Sequence, residues 1–448
     1  MATKVANIKG PTGDKGATGA SPVGPAGPVA VSTQANNAAV LGTDSGILVP
    51  SIPLASTSQK GLLRQVSGNT TDFVDGTNHT QSLATALEPT IWSTRIYSYN
   101  AIGNPNFEVD QRNVGGAIAN IANGVFAQDR WMRGGSGTFQ IKTQQTPTNW
   151  TVPGTSYVIT SKILTITLTT QETTLAAGDS LYFQQTIEGS AYREIASYHS
   201  LSLLVSCSVA PFTFAVALRN TAATFYSLVK SCTLTTTAPT LIQLPNLASW
   251  SSNYIFPNAP GVASYNLFIT LLSGTTLTAP ATDTWQTGNF IAAPGQSNFA
   301  ALPVNSTFSI GFVQHEPGTV CTPPIDIPFY QNLRACQRYF SKSVPYASAI
   351  PTSGSWRQFG SLAQGSTTAR TLIRFPVEMA KVPTVTFYDS AGGANAVYID
   401  YVLASTPVTP GSGLFSTQGV GYQVLAAAQT APYAGAVVFG QWKADTGW

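Results

Sequence analysis

This sequence is short of charge. Lysine, arginine, aspartate and glutamate make up 9% of its 448 residues, against roughly 25% in an ordinary soluble domain. The 22 basic and 19 acidic side chains leave a net charge of only +3. No basic stripe is available to neutralise phosphates, so nucleic acid is not an expected ligand, and electrostatic attraction to a membrane fails for the same reason. Cysteine and histidine are scarcer still. Cys207, Cys232, Cys321 and Cys336 show no Cys-x-x-Cys spacing, and His79, His199 and His315 are scattered along the chain, which argues against a structural zinc site. Cys207 alternates with Leu203, Val205 and Val209 and reads as a core thiol. No cofactor and no metal is expected. There is no apolar run long enough to span a bilayer, and the opening MATKVANIKG lacks the apolar core of a signal peptide. Neither membrane insertion nor conventional export is expected.

Catalytic signatures are also missing. No Gly-x-Ser-x-Gly elbow, His-Glu-x-x-His or phosphate loop occurs, nor a repeat of the kind that builds a β-helix. Glycoside hydrolysis would need two carboxylates facing each other across roughly 5–9.5 Å. The nearest acid pairs in sequence, Glu108 with Asp110 and Glu188 with Glu194, read as solvent-facing or paired with Arg112, Arg193 and Arg130. The chain is not expected to be an enzyme.

What the sequence does have, at its start, is glycine at every third position: Gly10, Gly13, Gly16 and Gly19, resuming after one slip at Gly24 and Gly27. Three polyproline-II strands wind about one axis only where every third residue lacks a side chain, and Pro11, Pro22, Pro25 and Pro28 pre-set that backbone. The pattern predicts a collagen-like trimer of this chain, at most ~60 Å long at about 3.1 Å per residue. Hydrophobic residues make up 43% of the chain and the polar remainder is Thr, Ser, Asn, Gln, Gly and Pro, a composition that favours strands over helices.

Residues 31–101 are turn-rich with few apolar clusters, and read as a thin stalk that three chains build together. From residue 102 period-two runs set in: Leu164, Ile166 and Leu168; Leu203, Val205 and Cys207, with Leu204 spoiling the period; Phe212 to Leu218; Leu267 to Leu271; Phe308 to Phe312. They predict a two-sheet antiparallel sandwich of jelly-roll type over 102–325. Over 326–342, Asp326 as N-cap, Pro328 in the first turn, and Phe329, Leu333, Cys336 and Phe340 on one face predict a connector helix. Residues 343–448 read as a small β domain with strands at Ile373 and Phe375, Val385 and Phe387, and Val437 and Phe439. The expected fold class is mainly β throughout.

Several phrases resemble tailed-bacteriophage fibre proteins. IGNPNFEVDQRN (102–113) is similar to the opening strand of the sandwich domain such fibres carry, and DRWMRG (129–134) to the Asp-Arg-Trp that follows it. LYFQQTIEG (181–189) together with FVQHEPGTVCTPPIDIPFYQNLRACQRYF (312–340) resembles the family's Q-x-I-E-G and V-Q-L-E-x-G to C-Q-R-Y-Y phrases, and ANNAAVLGTDSGILVP and KGLLRQVSGNTTDFVDGTN resemble its stalk modules. The resemblance covers most of residues 35–342. It implies a virion fibre, made in the host bacterial cytoplasm, with residues 1–30 as attachment segment to other virion proteins and a carbohydrate-binding-module-like sandwich. Sandwiches of this shape often hold calcium between the Glu after the opening Asn-x-x-Phe and acids near the final strand. Here Glu108 matches, but Gly311 and Phe312 stand where acids would, and a single carboxylate makes a poor calcium site. His315 replaces an apolar residue of the motif and reads as a rim residue without chemistry.

Binding a host surface glycan asks for exposed rings to stack on sugar faces and amides to take hydroxyls. The candidates are Trp250, Tyr254 and Phe256 in one loop, Trp285 in a second, and Trp356, Tyr422, Tyr433, Trp442 and Trp448 in the C-terminal domain, the expected receptor-facing tip. The expectation is a trimeric tail fibre that adsorbs to host glycan. A head or collar fibre, a tailspike depolymerase and a bacterial adhesin remain as alternatives, the last disfavoured by the missing export signal.

Overall fold

The computed structural model describes residues 99–250, 256–352 and most of 359–448, together with four short strands nearer the N-terminus. The chain divides into two compact units, Met1–Thr90 and Ile91–Trp448. In the first, β1 (Val40–Leu41) pairs with β2 (Ile47–Leu48), and β3 (Asp72–Val74) with β4 (Thr80–Ser82). The glycine triplets from Gly10 to Gly27, and most of the stalk reading, lie outside the described residues.

The second unit opens with β5 (Phe126–Gln128), β6 (Trp131–Gly134), β7 (Gln140–Thr151), β8 (Val158–Thr170) and β9 (Ser180–Glu188). A short helix α1 (Gly189–Glu194) leads to β10 (His199–Cys207), β11 (Phe212–Asn220), β12 (Tyr226–Leu234) and β13 (Thr240–Leu244). Then come β14 (Ala263–Ser273), β15 (Trp285–Thr287) and β16 (Thr307–Pro317). These strands form a five-stranded sheet, β13-β10-β16-β8-β7, and a seven-stranded one, β15-β12-β11-β14-β9-β6-β5. All their ladders are antiparallel.

The two sheets make a β-sandwich because alternate side chains along each strand face opposite ways. Leu164, Ile166 and Leu168 of β8, Leu201, Leu203, Val205 and Cys207 of β10, and Phe308 and Ile310 of β16 meet Phe212, Phe214, Leu267 and Ile269 of the opposing sheet in one core. The period-two runs thus fall where they were expected, except that Phe312, past the bulge at Gly311, turns to the other face. Leu204, the residue that spoils the pattern, is buried on the other side of its sheet with Trp150, Ile159, Ile163 and Phe312. Leu204 pairs with Phe312 and Val205 with Ile310, so Gly311 is the extra residue of a bulge.

The opening phrase 102–113 is not a strand. It is a buried loop in which Asn104 (φ 52°) and Phe107 (φ 56°) are left-handed. Phe107 stacks on Trp131 at 5.1 Å between ring centroids, and a strand could not present that ring while also turning Asn104 inward.

The helix is shorter than the sequence suggests. Helix α2 spans Phe329–Gln337 with Pro328 as N-cap and no side-chain cap; Asp326 lies outside it, and Phe340 belongs to β17 (Phe340–Lys342). Its buried residues are Asn332 and Cys336, because α2 packs on the polar loop 104–106 rather than on an apolar sheet. The remaining strands are β18 (Phe359–Leu362), β19 (Thr368–Arg374), β20 (Thr384–Tyr388), β21 (Ala396–Ile399), β22 (Ala404–Pro410), β23 (Gly419–Ala426) and β24 (Val437–Asp445). They join β17 in an eight-stranded sheet where β24 pairs with β17, β18, β20 and β21.

A methyl group on Gly311 would fall 2.4 Å from Trp150 Cε3. Gly311→Ala is therefore expected to destabilise the chain by about 1–3 kcal/mol in a thermal or denaturant melt. In a Trp150→Ala background the same substitution should cost much less, because the clash is then gone.

Candidate functional site

Three of the sugar-stacking candidates, Trp250, Phe256 and Trp285, come together in a packed cluster. Trp250 stacks on His199 (4.4 Å, 18°), meets Phe256 and Trp285 at 4.8 and 5.6 Å, and donates its indole N–H to the Ile195 carbonyl at 2.9 Å. Trp285 donates to the Ala248 carbonyl at 3.3 Å. Both rings are half-buried against the sandwich core, and Phe256 is itself core. Trp442 is 6% exposed and packs on Phe375; it is a core residue of the C-terminal sheet and not a platform, since β24 turns it inward beside Ala444. Trp448 stands half-exposed at the chain's end with the Lys381 ammonium over its ring. Tyr254, Trp356 and Tyr433 lie outside the described residues, as does the side chain of Tyr422.

His315 is not at a rim. It is fully buried, and its two ring nitrogens lie 2.7 Å from the Tyr265 hydroxyl and 2.9 Å from His199 Nδ1. Either direction serves the two contacts: Tyr265 donating to His315 Nδ1 and His315 Nε2–H to His199 Nδ1, or His199 Nδ1–H donating to His315 Nε2 and His315 Nδ1–H to the Tyr265 oxygen. Burial holds both rings neutral, pushing His199 down to about 4 and His315 well below its usual value. The pair was invisible in the sequence because β10 and β16 bring together residues more than a hundred positions apart, with Leu201 opposite His315.

Of the acids paired in sequence, Glu194 is exposed beside Arg193 and Glu108 is half-buried, but the others are enclosed. Asp110 and Asp129 are each 1% exposed and Glu188 3%. Asp110 accepts backbone N–H groups from Asn113 and Gly115 at 3.0 and 2.9 Å. Asp129 accepts from Gln111, backbone and side chain, at 2.8 and 3.1 Å, and ion-pairs with Arg112 Nε at 3.4 Å. Arg112 also forks onto Asp445 of β24, one arm at 2.9 Å. Burial pushes the Asp129 carboxyl up to about 7 against the pull of Arg112. It pushes Lys342, whose ammonium is held by the Gln111, Tyr346 and Ser348 carbonyls, down to about 8.

Glu188 is paired with Arg338 and not with Arg193, whose partner is the exposed Glu194. Burial raises the Glu188 carboxyl, but Arg338, the Gly261 N–H and the Tyr339 hydroxyl outweigh it and hold the acid below its ordinary value. Arg130 lies over the Tyr339 ring at 3.5 Å, and Asn332 of α2 donates to Asn106 at 2.9 Å. The sequence phrases 102–113, 129–134, 181–189 and 312–340 therefore converge on one buried polar knot between sandwich, α2 and C-terminal sheet. Among the described residues no group of three or more His, Cys, Asp or Glu is placed to hold a metal; Glu108 takes a bond from Ser161 instead.

Beside the knot lies a cleft of about 390 Å³, lined by Val114, Gly115, Gln144, Gln145, Pro147, Lys162, Tyr346 and Ala347. Period two along β7 leaves Gln144 half-exposed and turns Gln145 inward. Gln145 donates to the Phe107 carbonyl at 2.8 Å and accepts from Lys162 Nζ at 3.2 Å. Tyr346 donates to the Glu108 carbonyl at 2.9 Å and accepts the Asp110 N–H at 3.0 Å, so its ring is fixed. Two amides, an ammonium and an anchored phenol can bind hydroxyls from several directions, in a space of small-ligand size.

No protein-family model matches this chain, and no curated protein matches it. Among solved structures it is similar to a family 11 carbohydrate-binding module from Clostridium thermocellum in complex with a mixed-linked tetrasaccharide, at 6% identity over 43% of this chain and 91% of that one, with a TM-score of 0.25. It is similar to a putative sugar-binding protein from Bacteroides thetaiotaomicron at 10% identity over 49% of this chain and 100% of that one, TM-score 0.28. It is also similar to the enzymatically active domain of a tailspike protein of bacteriophage CBA120, at 12% identity over 48% of this chain and 21% of that one, TM-score 0.22. At such scores these likenesses say nothing of what this chain binds.

Removing the Glu188 charge tests the knot: Glu188→Gln is expected to lower stability by ~2–3 kcal/mol by stripping Arg338 of a charged partner, read by chemical denaturation. His199 is neutral in the fold and takes a proton on unfolding between its ordinary 6.5 and its folded value of about 4. Its contribution to stability is thus lost as pH falls through that window. In His199→Gln the thermal midpoint should drop less on acidification from about pH 7 to about pH 4.5 than in the parent chain.

Proposed function

We propose that this chain is a virion fibre protein of a tailed bacteriophage, a homotrimer that adsorbs the particle to a host-surface glycan. The observation that carries the binding role is the cleft at Gln144, Gln145, Lys162 and Tyr346, which is polar on several sides and held by bonds to the buried loop behind it. Sugar hydroxyls pair with such groups, and the Tyr346 phenol and Lys162 stem give partly apolar walls. The glycine triplets from Gly10 to Gly27 support a trimer. Three weak sites on one fibre, and several fibres on a particle, multiply effective affinity without a tight single contact.

Binding without turnover is part of the proposal. Hydrolysis needs two accessible carboxylates across the scissile bond, whereas Asp110, Asp129 and Glu188 are enclosed and each is committed to cations or backbone N–H groups. On this reading the N-terminal thirty residues attach the fibre to other virion proteins on a tail or other external appendage, after synthesis in the host cytoplasm.

Light scattering of the purified chain should give three times its 47.1 kDa, and electron cryomicroscopy of the particle should place residues 1–30 in a tail socket. Roots on the capsid would make it a head fibre; a monomer absent from the particle would end the proposal. Lys162→Ala and Gln144→Ala are each expected to weaken binding of the trimer to host polysaccharide about tenfold or more, because a small loss per site is multiplied by avidity.

A further inference from the structure

The outer face of the seven-stranded sheet carries a second group of polar and aromatic side chains that the cleft does not use. Register places Thr186, Asn266 and Arg219 in one row across β9, β14 and β11, with Gln184 and Phe268 in the next. Arg219 lies flat over two rings, with its guanidinium carbon 4.6 Å from the Phe268 centroid and 4.4 Å from that of Phe225. Such stacking strips water from the cation. One of its arms reaches the exposed Asn289 amide, but Nε is buried without an acceptor, as is the Asn266 Oδ1 without a donor. Among the described residues no carboxylate lies within ion-pair distance of Arg219.

A half-buried, partly dehydrated cation with no acid beside it among the described residues favours the approach of an anion to its accessible arm. Next to it, Tyr182 lies against Gly134, where an added Cβ would fall 2.0 Å from its ring, and Phe268 takes the ring at 5.3 Å and 72°. Between the Gly134 strand and Phe268 the Tyr182 side chain is half-buried, so part of it still reaches the surface.

We propose that this face binds a carboxylated sugar, with the pyranose ring against Tyr182, the carboxylate on the second arm of Arg219, and the side-chain amides of Asn266 (through Nδ2) and Gln184 on ring hydroxyls. That second arm, Nη2, is neither bonded to Asn289 nor enclosed like Nε. A neutral hexose would leave Arg219 as it is now and gain only the stacking and the amide bonds. The discrimination is therefore between acidic and neutral forms of one ring.

The test uses the full chain and two probes that differ only at C6, methyl β-D-glucuronide and methyl β-D-glucoside, titrated by NMR with the arginine Nε–H signals in view. The expected result is a glucuronide affinity at least tenfold above that of the glucoside, weakening with added salt, with one Arg Nε–H signal shifting on saturation. Arg219→Lys should reduce the preference about tenfold while leaving the thermal midpoint within a few degrees. Equal binding of the two probes, or no binding of either at tens of millimolar, overturns the proposal; this comparison needs no variant, so a poorly folding Arg219 substitution does not remove the test. A preference that survives Arg219→Lys and vanishes with Lys162→Ala would place the carboxylate in the cleft and overturn it as well, and it would do so without touching the fibre assignment.

Discussion

Asp129 is the point on which the second unit turns, because its carboxylate is buried to 1% exposure and an uncompensated charge there would cost several kcal/mol. The groups that set its surroundings come from three segments of the chain. Gln111 and Arg112 arrive from the opening loop, Lys342 from β17, and Asp445, which shares Arg112, from the last strand. None of these can be supplied until the loop, the β5–β6 turn and both ends of the C-terminal sheet have met. The same requirement repeats at Glu188, whose partners Arg338 and Tyr339 follow α2. Buried ion pairs are weak stabilisers compared with well-packed apolar groups, but a misplaced segment leaves one of them unpaired. The knot therefore specifies how sandwich, helix and C-terminal sheet are joined.

Loop 104–113 is the mechanical consequence. To reach Asp129 it has to pass through the interior, and it does so with left-handed turns at Asn104 and Phe107 and with the Phe107 ring laid on Trp131. The Phe107 carbonyl then fixes Gln145, and the Glu108 carbonyl fixes Tyr346. Two of the cleft's polar groups are thus oriented by the loop that the knot holds, and pre-oriented donors lose less freedom on binding a ligand.

The two outer faces of the sandwich are finished differently. On the five-stranded sheet, Trp150 closes over the Gly311 bulge and buries Leu204 and Phe312 beneath it, leaving only the margin at β7 and β8 open as a cleft. On the seven-stranded sheet, Phe268, Ala217 and Val229 are covered by Tyr182, Leu277 and Phe290, and Asn266 and Arg219 lie half-buried beside them. Arg112, in the knot, has two acids beside it, Asp129 and Asp445, whereas Arg219 has none among the described residues.

The sequence by itself determined the mainly-β class and the sandwich core, since Leu164 to Leu168, Phe212 to Leu218 and Leu267 to Leu271 must alternate in and out in any strand that buries one face. It also marked the phrases that matter, although not their role. Where side chains have polar partners, local pattern failed. Asp326 looked like a cap and Phe340 like helix, yet α2 runs only from Phe329 to Gln337, its inner face meeting Asn104 and Asn106, and Phe340 is paired as a strand with Asp445 of β24. His315 and His199, Asp129 and Asp445, and Tyr346 and Gln145 are pairs or neighbours only through sheet register and loop threading. Those contacts join positions scores to hundreds of residues apart, and no period in the sequence encodes them. Apolar burial repeats along a strand and can be read from the chain; a hydrogen bond between distant segments exists only once the tertiary structure has brought its donor and acceptor together.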